Sequence, residues 1–187
     1  MRLFVGLALP DEVRWQLEKL ASGLPGARWV VPENYHLTLR FIGEVGRHDG
    51  ADIDSVLSGI APPAFDLQLH GLGQFGDRRS LRALWAGVRS SEGLAHLQAK
   101  VEQGVQRSGQ PPETRKFKPH VTLARFKQHP GERLAAYLTQ NALFTSQVFQ
   151  VSEFCLFSSQ LGSEGAVYHP EAHYPLRPPV SASAAYI

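Results

Sequence analysis

One short pattern occurs twice in this chain and limits its fold more than any other feature. His36-Leu37-Thr38-Leu39-Arg40-Phe41 is echoed 84 residues later by His120-Val121-Thr122-Leu123-Ala124-Arg125-Phe126. Both copies read His-aliphatic-Thr-Leu, followed by Arg and Phe with an offset of one residue. Each copy sits in a strand-like stretch. Side chains alternate faces along a strand, so His36 and Thr38 project to one side while Leu37 and Leu39 anchor the other in a core. His120 and Thr122 stand in the same relation to Val121 and Leu123. By the same alternation Arg40 joins the face of His36 and Thr38, where it can reach a bound phosphate or form a surface ion pair. A lone His-x-Thr is an ordinary coincidence; two copies with matching apolar partners are not. The chain is therefore expected to hold two strands, each presenting an imidazole and a hydroxyl from a buried base.

The remaining periodicities surround those strands with mixed elements. Residues 3–9 read as a strand, and Asp11 as the N-cap of a helix with Val13, Leu17 and Leu20 on one face, ended by Gly23 and Pro25. A short strand over 27–31 and a turn over 32–34 lead into a strand over 35–42. Ile53, Val56, Leu57 and Ile60 have helical spacing over 51–60. From Phe65 the period changes: Phe65, Leu67 and Leu69 alternate with Asp66, Gln68 and His70, the pattern of one half-buried strand. Strands are predicted over 81–88, 117–126, 145–157 and 166–176, with a hairpin turn at 162–165, and helices over 91–106 and 131–142. This order argues for an α+β fold with a largely antiparallel sheet. No low-complexity linker divides it, so residues 1–177 read as a single domain and 178–187, rich in Pro, Ser and Ala, as a loose C-terminal tail.

Composition excludes several classes. Hydrophobic residues make up 43% and charged residues 19%, which is globular rather than disordered. No apolar run approaches the roughly 20 residues that span a bilayer, and the opening segment lacks the pattern of a secretory signal, so a cytoplasmic location is expected. The single cysteine, Cys155, lies in an apolar run and reads as a buried structural thiol. The net charge of +2 says little, but residues 115–127 carry five basic and no acidic side chains, which suits a phosphate-bearing partner. His48, His70, His96, His129, His169 and His173 lack metal-ligand spacing, since Pro170 interrupts the only pair four apart; they read as surface or structural, and no metal is expected. Asp49, Asp52 and Asp54 do not complete a calcium loop. Gly71-x-Gly73 lacks a dinucleotide-binding context, and no Gly-x-Ser-x-Gly elbow is present.

Two imidazoles and two hydroxyls across a groove can perform phosphoryl transfer without a metal. A neutral imidazole takes a proton from the nucleophile, an imidazolium gives one to the leaving oxygen, and the threonines with a basic residue, best Arg125, hold the phosphate oxygens. At this point the chain resembles the two-histidine phosphoesterase superfamily, and most closely its bacterial and archaeal branch of 2′-5′ RNA ligases and RNA 2′,3′-cyclic phosphodiesterases. The resemblance rests on the doubled motif and extends over nearly the whole chain: the opening Arg2-Leu-Phe-Val-Gly-Leu-Ala-Leu-Pro10, Arg28-Trp29-Val30, Pro32-Glu-Asn-Tyr-His36, Leu84-Trp-Ala-Gly-Val88, Phe117-Lys-Pro-His-Val-Thr-Leu-Ala-Arg125 and Leu156-Phe-Ser-Ser through Tyr174-Pro-Leu176.

The resemblance implies a bilobal fold of two antiparallel-sheet lobes with pseudo-twofold symmetry around a central groove, with the helices outside. It implies hydrolysis of a terminal 2′,3′-cyclic phosphate to a 2′-phosphate, with His36 as proton donor and His120 as proton acceptor. The near-symmetric motifs do not themselves assign those two roles. It further implies ATP-independent 2′-5′ ligation by the same chemistry, no cofactor, and RNA ends, tRNA fragments among them, as partners; nothing in the sequence demands more than a monomer. Thr38, Thr122 and Arg125 match the phosphate-binding positions. Phe41, five residues after His36, is a base-stacking candidate, with a core position at the strand end as its alternative. Two other functions stand against this one. A non-catalytic RNA-binding adaptor on the same scaffold is disfavoured by the completeness of both motifs, and a phosphodiesterase for a small cyclic nucleotide or ADP-ribose-type substrate is disfavoured by the basic segment.

Overall fold

The computed structural model describes residues 1–77, 80–128, 130–162 and 165–179. Along the chain run β1 (Arg2–Ala8), α1 (Asp11–Glu18), β2 (Ala27–Trp29), a 3-10 turn (Pro32–Asn34), β3 (His36–Glu44), α2 (Arg47–Ser58), β4 (Phe65–Leu67), β5 (Leu69–Phe75), β6 (Ala83–Val88), α3 (Glu92–Arg107), β7 (His120–Phe126), α4 (Arg133–Gln140), β8 (Phe149–Val151), β9 (Glu153–Gly162) and β10 (Gly165–Pro175). The main sheet has the order β10-β9-β1-β3-β7-β6-β5, with β2 also on β7, and a second small sheet pairs β4 with β8. All these strand pairs are antiparallel, as expected of an α+β fold.

Two half-sheets meet at one seam. β10, β9, β1 and β3 form one half, and β7, β6, β5 and β2 the other. The halves join through β3 and β7, whose paired residues are Leu37 and Val121. These occupy the same position in the two motifs, one residue after each histidine. An antiparallel pairing of equivalent residues is a local twofold centre, so the seam carries the pseudo-symmetry and brings the two motifs together.

One sheet face carries the core. Leu3, Val5 and Leu7 of β1, Leu37 and Leu39 of β3, Leu84 and Ala86 of β6 and Val121 and Leu123 of β7 are all buried. Against them lie Val13 and Leu17 of α1, Ile53 and Leu57 of α2, and Leu94, Leu97, Val101 and Val105 of α3. Each fully buried aliphatic side chain stabilises the fold by about 1.5–3 kcal/mol. α3 begins where Ser91 Oγ accepts a hydrogen bond from the Leu94 N–H at 3.2 Å, and its apolar stripe then runs along one side.

Several elements depart from local expectation for identifiable reasons. Asp11 is the first helical residue and not the N-cap; Pro10 takes that place, and the Asp11 carboxylate pairs with Arg14 one turn on. The single strand expected from Phe65 is broken at Gln68. Ser146 Oγ accepts the Leu69 N–H at 2.9 Å and Ser146 O accepts from Gln68 Nε2 at 2.8 Å, so side-chain bonds replace the ladder and the two halves of the run enter different sheets. The strand expected over 145–157 is likewise divided into β8 and β9. β7 begins at His120 because Pro119 before it has no N–H to give. Arg177 ties the chain back: its N–H bonds Pro62 O, its Nε bonds Ala61 O, and its carbonyl accepts from the Ala64 N–H. Of the expected loose tail, 180–187 lies outside the described residues, as do 163 and 164 of the expected hairpin turn.

The departure with most consequence is a pair of β-bulges. Val5 pairs with Arg40 but Gly6 with Thr38, leaving Leu39 as the extra residue of β3. Leu84 pairs with Ala124 but Trp85 with Thr122, leaving Leu123 as the extra residue of β7. Both bulges fall on the leucine of the repeated motif. Each adds one residue and so reverses the alternation beyond it. Arg40 therefore does not share the face of His36 and Thr38. It stands opposite Val5 on the core side and is 7% exposed. There its Nε lies 2.5 Å from Glu102 Oε2, its Nη1 lies 4.0 Å from Glu113 Oε2, and its Nη2 donates to Pro111 O at 2.5 Å. This buried cation clasps α3 and the segment leading into β7 onto β3. Arg40→Ala should lower unfolding stability by about 2–3 kcal/mol in urea denaturation, because it strands Glu102, while an Arg40→Ala/Glu102→Ala double variant should recover part of the loss.

Candidate active site

The face opposite the core collects the remaining motif residues. Both histidines are half-buried, and so are Thr38 and Thr122. Gly6 is paired with Thr38, and a Cβ there would come within 2.9 Å of Leu37 O, so the floor beside Thr38 admits no side chain. Beyond the bulges the reversed alternation turns Phe41 and Arg125, each five residues after its histidine, onto this face. Phe41 is paired with Phe4 and Arg125 with Ala83, and both are exposed. Strict alternation would have sent both to the core. Phe41, at 37% exposure, is thus not a core residue, and the Arg2 guanidinium lies 5.1 Å over its ring.

The two imidazoles are held by the same device. His36 Nδ1 lies 2.7 Å from Asn34 O, and His120 Nδ1 lies 2.7 Å from Lys118 O. A carbonyl oxygen only accepts, so in both rings Nδ1 carries the hydrogen and donates it. Nε2 is left as the atom that accepts a proton in the neutral ring and donates one in the charged ring. Asn34 is itself anchored, donating from Nδ2 to Ala166 O of β10 at 2.7 Å.

Aromatic walls back each ring. His36 lies 4.7 Å from Phe4 and 4.9 Å, edge-on, from Tyr168, with Phe157 stacked on Phe4 behind it. His120 lies 4.8 Å, edge-on, from Phe75 and 6.1 Å from Trp85. The Trp85 indole lies across Gly73, where a Cβ would fall within 2.3 Å of its ring, and Lys118 Nζ stands 4.5 Å over that indole. These walls, with Asn34 and Lys118, are what motif reading missed. The aromatics come from β1, β5, β6, β9 and β10, and only the sheet brings them together.

Burial, chiefly, pushes the proton affinity of both imidazoles below the ordinary histidine value. Each carbonyl bond opposes that shift. Positive charge adds to the lowering: His120 and Arg125 act on His36, and Lys118 and Arg125 act on His120. Arg125 therefore lies within electrostatic reach of both rings. The structure brings His36, His120, Thr38, Thr122, Arg125 and Phe41 to one face, and among the sequence candidates it removes only Arg40.

A sequence model of the 2′-5′ RNA ligase superfamily matches residues 9–162. The chain belongs to this superfamily. A curated relative named RNA 2′,3′-cyclic phosphodiesterase, from Archaeoglobus fulgidus, is 32% identical over 90% of this chain and 96% of its own length. One of the same name from Aeropyrum pernix is 41% identical over 79% of this chain and 84% of its own. Among solved structures, TT0787 of Thermus thermophilus superposes with a TM-score of 0.80 at 28% identity, covering 95% of this chain and 99% of that one. Escherichia coli LigT complexed with 3′-AMP superposes with a TM-score of 0.78 at 29% identity, covering 94% and 97%.

By NMR titration both imidazoles should have midpoints below the free value of about 6.5, with Nδ1 protonated in the neutral ring. The unfolded chain then binds more protons than the folded one just below that pH. The stability these rings contribute is fully present above pH ~6.5 and is lost as pH falls through their folded midpoints. The stability of a His36→Gln/His120→Gln protein, from urea unfolding at a series of pH values, should fall less steeply below pH ~6.5 than that of the native chain.

Proposed function

We propose that this chain is an RNA 2′,3′-cyclic phosphodiesterase, opening a terminal 2′,3′-cyclic phosphate to a 2′-phosphate by two-histidine acid–base catalysis. The observation that carries this reading is the mirrored pair of imidazoles, each with Nδ1 bonded to a carbonyl two residues upstream and Nε2 left for chemistry. The relatives named RNA 2′,3′-cyclic phosphodiesterase support the substrate class.

In this mechanism His120 Nε2 takes a proton from water as its oxygen attacks phosphorus. The bond from phosphorus to the 3′ oxygen breaks, and His36, as imidazolium, protonates that oxygen. Thr38 and Thr122 donate to the non-bridging oxygens, and Arg125 neutralises the charge that develops there. An anionic phosphate between the rings also offsets the depression of their proton affinity, which favours a charged His36 beside a neutral His120 once substrate is bound. Phe41 stacks on the terminal base. A 5′-hydroxyl in place of water gives a 2′-5′ linkage by the same bond changes, without ATP. The reaction as written draws on no metal. In this reading residues 1–177 act as one catalytic unit, a monomer working on cleaved RNA ends, tRNA fragments included, in the cytoplasm.

The test is incubation with a short RNA ending in a 2′,3′-cyclic phosphate, in the presence of chelator. A 2′-phosphate product should form, and His36→Ala or His120→Ala should each slow it by on the order of 10²–10⁴ without loss of folding. A 3′-phosphate would reverse the leaving group and overturn the assigned roles; tight binding without turnover would favour an adaptor. Arg125→Ala should reduce turnover by about 10²-fold, whereas Phe41→Ala should weaken RNA binding by roughly tenfold and spare the rate at saturation.

A further inference from the structure

At the outer part of the same sheet, three side chains of different chemistry converge. His173 of β10 is paired in register with Cys155 of β9, and Pro175 with Glu153. Cys155 Sγ lies 3.3 Å from His173 Nδ1, His173 Nδ1 lies 2.9 Å from Glu153 Oε1, and Cys155 Sγ lies 4.0 Å from that oxygen. These are a sulfur, a nitrogen and an oxygen donor, all within 4.8 Å of one another. Tetrahedral zinc with bond lengths of about 2.3 Å to sulfur and 2.0–2.1 Å to nitrogen and oxygen sets its donors about 3.3–3.6 Å apart. The observed triangle needs only a few tenths of an ångström of side-chain adjustment to meet that geometry.

We propose that Glu153, Cys155 and His173 form a binding site for a zinc-class divalent transition-metal ion, open to a fourth ligand from solvent. The site is built on rigid elements: all three residues come from one antiparallel pair. Cys155 is buried but its sulfur faces His173, and His173 and Glu153 are about half exposed, so an ion enters from their side. Burial and the Glu153 carboxylate push the thiol up to about 12, so without metal the sulfur is a protonated, inert group. Metal binding exchanges that proton: the ion takes the thiolate, the neutral imidazole and the carboxylate, and one proton from the thiol leaves to solvent. Sequence spacing conceals the set, because hairpin register and not a short motif brings the three residues together.

The site is separate from the two-histidine chemistry. Cys155 pairs with Gly6, and Gly6 with Thr38, so two strand spacings, roughly 10 Å, lie between Cys155 and Thr38. Its effect is on the β9–β10 hairpin, which carries Phe157 and Tyr168 of the wall behind His36. A bound ion staples that hairpin. This inference does not depend on the proposed reaction.

Cobalt(II) titration of the full chain is the decisive measurement. Cys155 is the only cysteine, so any thiolate-to-cobalt charge-transfer band must come from it. The band should saturate at one equivalent, be displaced by zinc, and release one proton per ion. His173→Ala and Glu153→Gln, both at exposed positions, should weaken binding at least tenfold while preserving the fold. Zinc at 100-fold over its dissociation constant should raise Tm by roughly 5 °C or more in the native chain and not in Cys155→Ser. Absence of the charge-transfer band would overturn the site. So would zinc binding that His173→Ala leaves unchanged, because the ion would then be held elsewhere. Failure of RNA turnover would leave these readouts unaffected.

Discussion

The arrangement of this protein depends on a single antiparallel seam between two half-sheets. Leu37 and Val121 are the paired residues there, and they are equivalent positions of a repeated motif. Pairing equivalents makes the seam a local twofold centre, so whatever one half places beside it the other half places in mirrored fashion. The histidines, the threonines and the upstream carbonyls that orient the imidazoles all obey this relation. Buried leucines and valines on the reverse face hold both strands against the helices, which removes the freedom of the motif residues to turn away. One sheet face carrying two imidazoles is the consequence of that one pairing and its apolar backing.

Within this symmetric frame two equivalent bulges let a one-residue offset in sequence make the two halves differ. They occur at Leu39 and Leu123 and have the same geometric effect. The residue after each bulged leucine points to the core, and the next points to the face of the histidines. In the first half those residues are Arg40 and Phe41; in the second they are Ala124 and Arg125. The first arginine is therefore committed to an internal ion pair with Glu102, while the second stands exposed on the face of the histidines. Symmetric backbone and shifted sequence together give one cationic and one aromatic side to the same site. Burial against Phe4, Tyr168, Phe75 and Trp85 then depresses both rings, and Arg125 acts on the two together.

Much of this was legible along the chain, and the parts that were not have a common cause. The doubled His-x-Thr-Leu placed both histidines and threonines on strand faces, and the apolar periodicities of residues 53–60 and 94–105 marked α2 and α3 and their buried sides. The α+β class followed from the order of strand-like and helix-like stretches, and the superfamily from the doubled motif. Alternation misplaces Arg40 because it assumes an unbroken ladder. Alternation from Phe65 does not reveal the break at Gln68, because Ser146, 78 residues beyond it, supplies the bonds that interrupt the run.

The sequence by itself determined which residues could do chemistry, since residue type and a period of two are local properties that need only the strand. The tertiary structure alone decided which of them share the face of the histidines. A bulge is a property of two paired strands, and its partners Gly6 and Trp85 lie far from the motif residues they offset. It also assembled the aromatic walls and brought Glu153 and Cys155 against His173. Those contacts arise from ladder register, within hairpins and between strands distant in sequence alike, and register is not specified by residue type or by a local period.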